Sequence, residues 1–141
     1  MALWLTRAGK YGAHESRFIE DRRIYLTWDE LTDQDMSAIQ SYEGIKALLQ
    51  EVYPGEPVRR IGNWSGQIWA FVLGMKAGDW VVVPSKVAAT IAIGEIVGPY
   101  TYDATAEPMY RHFRPVNWLN TAIPRTAFDQ DLLYSFVAFL T

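Results

Sequence analysis

A chain of 141 residues, half of them hydrophobic, can bury one core but not two independent ones, so a single domain over residues 1–141 is expected. It contains no cysteine, which excludes disulfides, thiolate metal sites and thiol nucleophiles and fits a reducing cytoplasm. The formal charge of −3 argues against a broadly basic nucleic-acid surface, yet the charge is unevenly spread.

From Glu15 to Glu56 ten acids face Arg17, Arg22, Arg23 and Lys46, a balance of −6. From Pro57 to Arg114 six bases face Asp79, Glu95, Asp103 and Glu107, a balance of +2. The basic half can hold a phosphate backbone, or the asymmetry is ordinary surface scatter. The apolar start Met1–Thr6 precedes Arg7 and Lys10, whereas a secretory signal places its basic residues first. No run approaches membrane-spanning length, so a cytoplasmic protein with no membrane partner is expected.

Leu3–Thr6 reads as a first strand, and Gly9 and Gly12 after it suit a tight loop whose backbone can approach a ligand. Arg23–Trp28 alternates apolar residues with β-formers and predicts a second strand. Ile45, Leu48, Leu49 and Val52 recur at helical spacing, with Ser41 as N-cap and Pro54-Gly55 as the stop. This acidic helix is expected at the surface. A second helix is predicted from an N-cap at Asn63, with Ile68, Phe71, Val72 and Met75 on one apolar face and Gly78 ending it. Trp80–Val83, Ala89–Val97 and Phe113–Trp118 read as further strands, with Gly98-Pro99 and Asp103–Pro108 as loops. Short strands separated by a few helices predict an α+β architecture, a small curved β barrel with flanking helices.

No catalytic set emerges. Asp33 and Asp35, like Asp129 and Asp131, are spaced i, i+2 without a strand or metal-loop context, so they read as solvated or capping residues. His14 and His112 lie far apart in sequence and give no metal-ligand spacing. A phosphate-binding Gly-rich loop, a GxSxG elbow, a Rossmann fingerprint and a nuclease Asp…Glu-x-Lys pattern are all lacking. No cofactor, no metal and no catalytic residue is expected in this segment.

The aromatic residues carry more. Six tryptophans are too many to hide in so short a chain, because each indole N–H needs a partner. Trp4, Trp28, Trp69, Trp80 and Trp118 lie in strand or helix-face patterns and are expected in the core. Trp64, in the run Gly62-Asn63-Trp64-Ser65-Gly66, falls at the predicted helix start, where a ring faces outward or into a cleft and Ser65 offers an unpaired N–H. Such an indole can stack on a flat ring; a hydrophobic staple is the structural alternative. Tyr100, Tyr102 and Tyr110 either close a second wall over the cleft or shield the barrel edge.

The ordered set Leu3–Ala8, Gly62–Ser65, Met75–Ser85, Ile93–Ile96 and Pro115–Leu119 resembles the EVE and YTH branch of the PUA-like superfamily. It is similar above all to the amino-terminal reader region joined to Mrr-type catalytic domains in modification-dependent (type IV) restriction endonucleases. The resemblance spans nearly the whole chain and implies a PUA-like barrel in which a flipped modified base enters an aromatic pocket. By position it implies Trp64 as the first pocket wall, flanked by Asn63, and Ser65 as a backbone contact to the base. Arg7, Ala8 and Gly9 would line the pocket at the exit of the first strand, with Ser85 on its rim. Tyr102 or Tyr100 would be the second wall, where YTH readers often carry a tryptophan. Lys10, Arg59, Arg60, Lys86 and Arg111 would contact phosphates.

The expected partners are therefore double-stranded DNA carrying methylated adenine or methylated or hydroxymethylated cytosine, and an attached nuclease of which this chain would be a fragment. The apolar run Leu132–Phe136 reads as the last element or the start of a linker. The rival expectations are an RNA-binding PUA-like module that reads modified RNA, and a hydrolase using Asp79 or Glu95.

Overall fold

The computed structural model describes residues 2–127, and Asp129, Asp131 and the Leu132–Phe136 run lie outside the described residues. The described residues are α+β, with a six-stranded sheet and three α-helices among them. Its contacts divide it into two compact units, one of residues 2–24, 77–98 and 115–127, the other of residues 25–76 and 99–114.

The first unit carries the sheet path. Strand β1 (Leu3–Leu5) runs parallel to β3 (Trp80–Pro84), pairing Trp4 with Val81. Strand β4 (Thr90–Ile96) is antiparallel to β3, with Val82 opposite Ile93, and to β6 (His112–Pro124), with Ile96 opposite Val116. The path runs β1-β3-β4-β6-β2, where β2 is Arg23–Tyr25. The register between β4 and β6 shifts on both sides of Ile93, a bulge that bends the ladder. Gly94 lies where β6 approaches: a Cβ there would come 2.9 Å from Trp118 Cε3. Helix α1 (Glu15–Asp21) contributes the fully buried Phe18, and the Phe18 carbonyl accepts the indole N–H of Trp118 at 3.0 Å.

The second unit is mainly helical. Helix α2 (Tyr42–Val52) starts at Ser41, whose hydroxyl accepts the Gly44 amide at 3.1 Å, and buries Ile45 and Leu49. Helix α3 (Val58–Trp69) buries Ile61, Ser65 and Ile68, and continues as a π turn over Ala70–Gly74 that buries Phe71 and Val72. A π turn leaves carbonyls out of the α-helical ladder. Here the buried Arg114 guanidinium donates to the Phe71 carbonyl at 2.6 Å and the Val72 carbonyl at 2.9 Å. The short strand β5 (Thr101–Tyr102) pairs with the start of β6, Tyr102 opposite His112.

Several expectations are corrected. Helix α3 begins after Pro57, not at Asn63, because proline fits a helix entrance and the buried face of Ile61, Ser65 and Ile68 extends upstream. Gly78, at φ 94°, lies in the turn before β3, after the helix has already ended. Trp69 and Trp80 are 36% and 38% exposed rather than core residues. Strand β2 ends at Tyr25, and β6 runs on to Pro124.

Candidate functional site

In the first unit, the loop after β1 and the loop after β3 meet at one carboxylate. Glu15, at the first turn of α1, accepts the Ser85 hydroxyl at 2.6 Å and the Lys86 amide at 2.8 Å. The Ser85 hydroxyl oxygen in turn accepts the amides of Val87 and Ala88, each at 3.0 Å, which closes the turn that follows β3. Gly12, at φ 73°, lies against Glu15 and the Val87 side chain, and the buried Ala8 accepts the His14 amide at 2.8 Å. Of the residues the resemblance names, Ala8, Gly9, Ser85 and Lys86 are thus held on one loop junction through the 8–15 segment, with Arg7 exposed at its start. Lys10 follows in the same loop. Glu15, which organises the junction, was not among the expected residues; only its tertiary partners reveal it.

In the second unit, Trp64 lies in the second turn of α3 and is half-buried. Its ring meets Trp28 edge-on, centroids 5.6 Å apart at 83°, and Tyr53 at 5.1 Å and 62°. The Arg60 guanidinium stands 5.9 Å from the centre of the Trp64 ring and binds Glu56 at 2.7 Å. Both Trp28 and Tyr53 are half-buried too, so the three rings make an aromatic group that water reaches. Burial pushes the Tyr53 phenol up, and the Glu30 and Asp29 carboxylates push in the same direction. Asn63 and Gln67, one turn apart on α3, are exposed and lie on the same side of Trp64 around the helix.

Ser65 has a different setting from the one expected at a helix start. It is fully buried, its hydroxyl donates to the Ile61 carbonyl at 2.6 Å, and its amide lies beyond the first turn of α3. Arg59 is exposed beside Arg60 in that first turn, which carries no acidic residue.

Tyr100, Tyr102 and Arg111 are placed around the fully buried His112. His112 Nε2 faces the Leu31 carbonyl at 2.7 Å, which makes Nε2 the protonated nitrogen and Nδ1 the acceptor for the Tyr100 hydroxyl, also at 2.7 Å. The Tyr100 oxygen accepts the Met36 amide at 3.2 Å, the Tyr102 hydroxyl donates to the Thr32 carbonyl at 2.8 Å, and Arg111 pairs with Asp33. This network pins the segment from Leu31 to Met36. Burial holds the His112 imidazole below its ordinary range and raises the Tyr100 phenol. Hydrogen bonds from Ser37 hold the Asp35 carboxyl below the usual range.

Asp79, one of the acids weighed for hydrolysis, accepts the Ala2 amide at 3.0 Å and the Trp4 indole N–H at 2.9 Å, a clamp on β1. Among the described residues no group of three His, Asp or Glu side chains is placed to hold a metal ion. No helix among them is long and apolar enough to cross a membrane.

A family model described as "Domain of unknown function (DUF8426)" matches residues 4–134. The chain belongs to that family. No curated protein and no solved structure matches it. The DUF8426 match covers residues of both units, Glu15, Trp64, Asp79 and His112 among them.

Proposed function

We propose that this chain is a DNA-binding specificity domain of PUA-like, EVE/YTH-like fold that recognises a modified base flipped into an aromatic pocket and directs an attached Mrr-like nuclease to it. The observation that carries the reading is the water-accessible group of Trp28, Tyr53 and Trp64, with Arg59 and Arg60 on the same helix. Flipping a base costs a few kcal/mol, and stacking on an aromatic side chain returns about 1–3 kcal/mol per base. Two basic residues in the acid-free first turn of α3 add phosphate attraction where the helix dipole also favours an anion. Trp64 is the first wall. Its ring neighbours make Trp28 and Tyr53 the candidates for the second, while Tyr100 and Tyr102 serve the His112 network.

A modification is read by shape and by edge chemistry together. A methyl group adds about 0.8 kcal/mol of apolar burial, so the exposed amides of Asn63 and Gln67 supply the hydrogen bonds that reject a wrong edge. Methylated adenine and methylated or hydroxymethylated cytosine are the substrates this chemistry admits. The test is equilibrium binding to duplexes of one sequence carrying each modification or none, with the matching RNA as a further arm. One modified DNA duplex binding at least tenfold more tightly than the unmodified one supports the reading. Equal binding to all duplexes, or preference for the RNA, overturns it.

A further inference from the structure

We propose that Arg60 is a displaceable cover on the stacking face of Trp64, which leaves the indole for a DNA phosphate when a flat ring enters. The inference rests on the proposed stacking role of Trp64. Glu56, Arg60 and Trp64 are spaced at i, i+4 and i+8, so they form one row from the entrance of α3 into its second turn. In that row the guanidinium lies 5.9 Å from the indole centre while its other side is tethered to the Glu56 carboxylate at 2.7 Å. The guanidinium carbon stands over the ring, where its charge satisfies the negative face of the indole. An incoming base needs that same face, so the two compete for one surface.

The cover is weak enough to move. The Arg60 side chain is 55% exposed, and both of its contacts are of the solvent-screened kind. One exposed cation–π contact and one helix ion pair together lower the apparent affinity of a stacking ligand by about fivefold. Once displaced, the guanidinium lies at the acid-free first turn of α3 beside Arg59, where a phosphate can replace Glu56 as its partner. Arg60 would thus couple base entry to backbone contact: the group that vacates the indole is the group that grips the strand.

The experiment compares Arg60→Gln, Arg60→Lys and Glu56→Gln with the parent chain in two measurements. The first is acrylamide quenching of Trp64, taken as the difference between each chain and the same chain carrying Trp64→Phe. The second is the salt dependence of binding to methyladenine, methylcytosine and unmodified duplexes. Quenching of Trp64 is expected to rise about twofold in Arg60→Gln and to rise in Glu56→Gln, where the cover has lost its tether. Glu56→Gln is expected to bind the preferred duplex several-fold more tightly with the salt slope unchanged. Arg60→Gln is expected to lower the slope by about one unit, and Arg60→Lys to keep it, since an ammonium still neutralises one phosphate. Trp64 quenching in Arg60→Gln equal to that of the parent overturns the proposal, as does an unchanged salt slope in that variant. If quenching rises but no chain binds any duplex, the modified-base reading fails and takes the displacement with it; if one modified duplex is preferred while quenching is unchanged, the cover alone fails, so the two failures are separable.

Discussion

The planes of Trp28 and Trp64 meet at 83° with their centroids 5.6 Å apart, an edge-to-face pair linking the segment that follows β2 to the second turn of α3. Edge-to-face pairs contribute about 0.5–1.5 kcal/mol beyond the area they bury. Trp28→Ala is therefore expected to lower stability by about 2 kcal/mol, while Trp28→Phe keeps an edge for the indole and loses less than half of that. Urea unfolding of the two variants checks this. Equal losses from Ala and Phe would mean that the ring contact contributes nothing.

His112 makes stability depend on pH. Burial depresses its pKa in the folded chain, so the unfolded chain takes up this proton first as pH falls. The stabilisation is fully present above the ordinary histidine value of about 6.5 and is lost as pH drops from there towards the depressed folded value. The Tyr100 hydroxyl and the Leu31 carbonyl both match the neutral ring, and a second ring proton would face the Tyr100 donor. One such group can cost at most about 1.4 kcal/mol per pH unit. Thermal melts between pH 8 and pH 5 should fall more steeply for the parent than for His112→Gln, which cannot titrate; parallel curves would contradict the assignment.

Arg114 holds two carbonyls of the π turn. Lysine cannot reproduce the planar fork, so Arg114→Lys is expected to cost about 2 kcal/mol in urea unfolding. The amides of Phe71–Met75 should at the same time lose hydrogen-exchange protection before the rest of α3. Uniform loss across α3 would show that Arg114 does not act on the π turn.

Asp79 separates a structural acid from a catalytic one. Its two bonds to Ala2 and Trp4 predict that Asp79→Asn weakens the attachment of β1, lowering stability by about 1–2 kcal/mol. Exchange of the β1 amides should accelerate first. A change confined to hydrolytic turnover, with β1 protection intact, would revive the hydrolase alternative.

What the sequence disclosed follows from the range of the forces involved. Helix α2 was legible because its signals are local: a serine cap at Ser41, an apolar period at Ile45 and Leu49, and Pro54-Gly55 beyond. The start of α3 was misread because Asn63 is a good cap in isolation, whereas Pro57 and the buried Ile61 set the true entrance. Helix α1 buries only Phe18 and so shows no period. The π turn depends on Arg114, far along the chain, and no window of neighbouring residues contains that information. At the candidate site Trp64 stood out by its setting among glycines and polar residues, but its ring partners Trp28 and Tyr53 lie in other segments and only tertiary packing brings them to it. Glu15 was hidden for the same reason, since Ser85 and Lys86 reach it from another loop.

Trp64 is proposed to supply the surface on which a modified base stacks. The most direct test of that role is the ratio of affinities for modified and unmodified duplexes, measured by fluorescence anisotropy for the parent chain, Trp64→Phe and Trp64→Ala. A ratio of at least ten is expected in the parent, a smaller ratio with Phe, and a ratio of about one with Ala while α3 stays folded by circular dichroism. A Trp64→Ala chain that remains folded and keeps the parent's ratio would contradict that role.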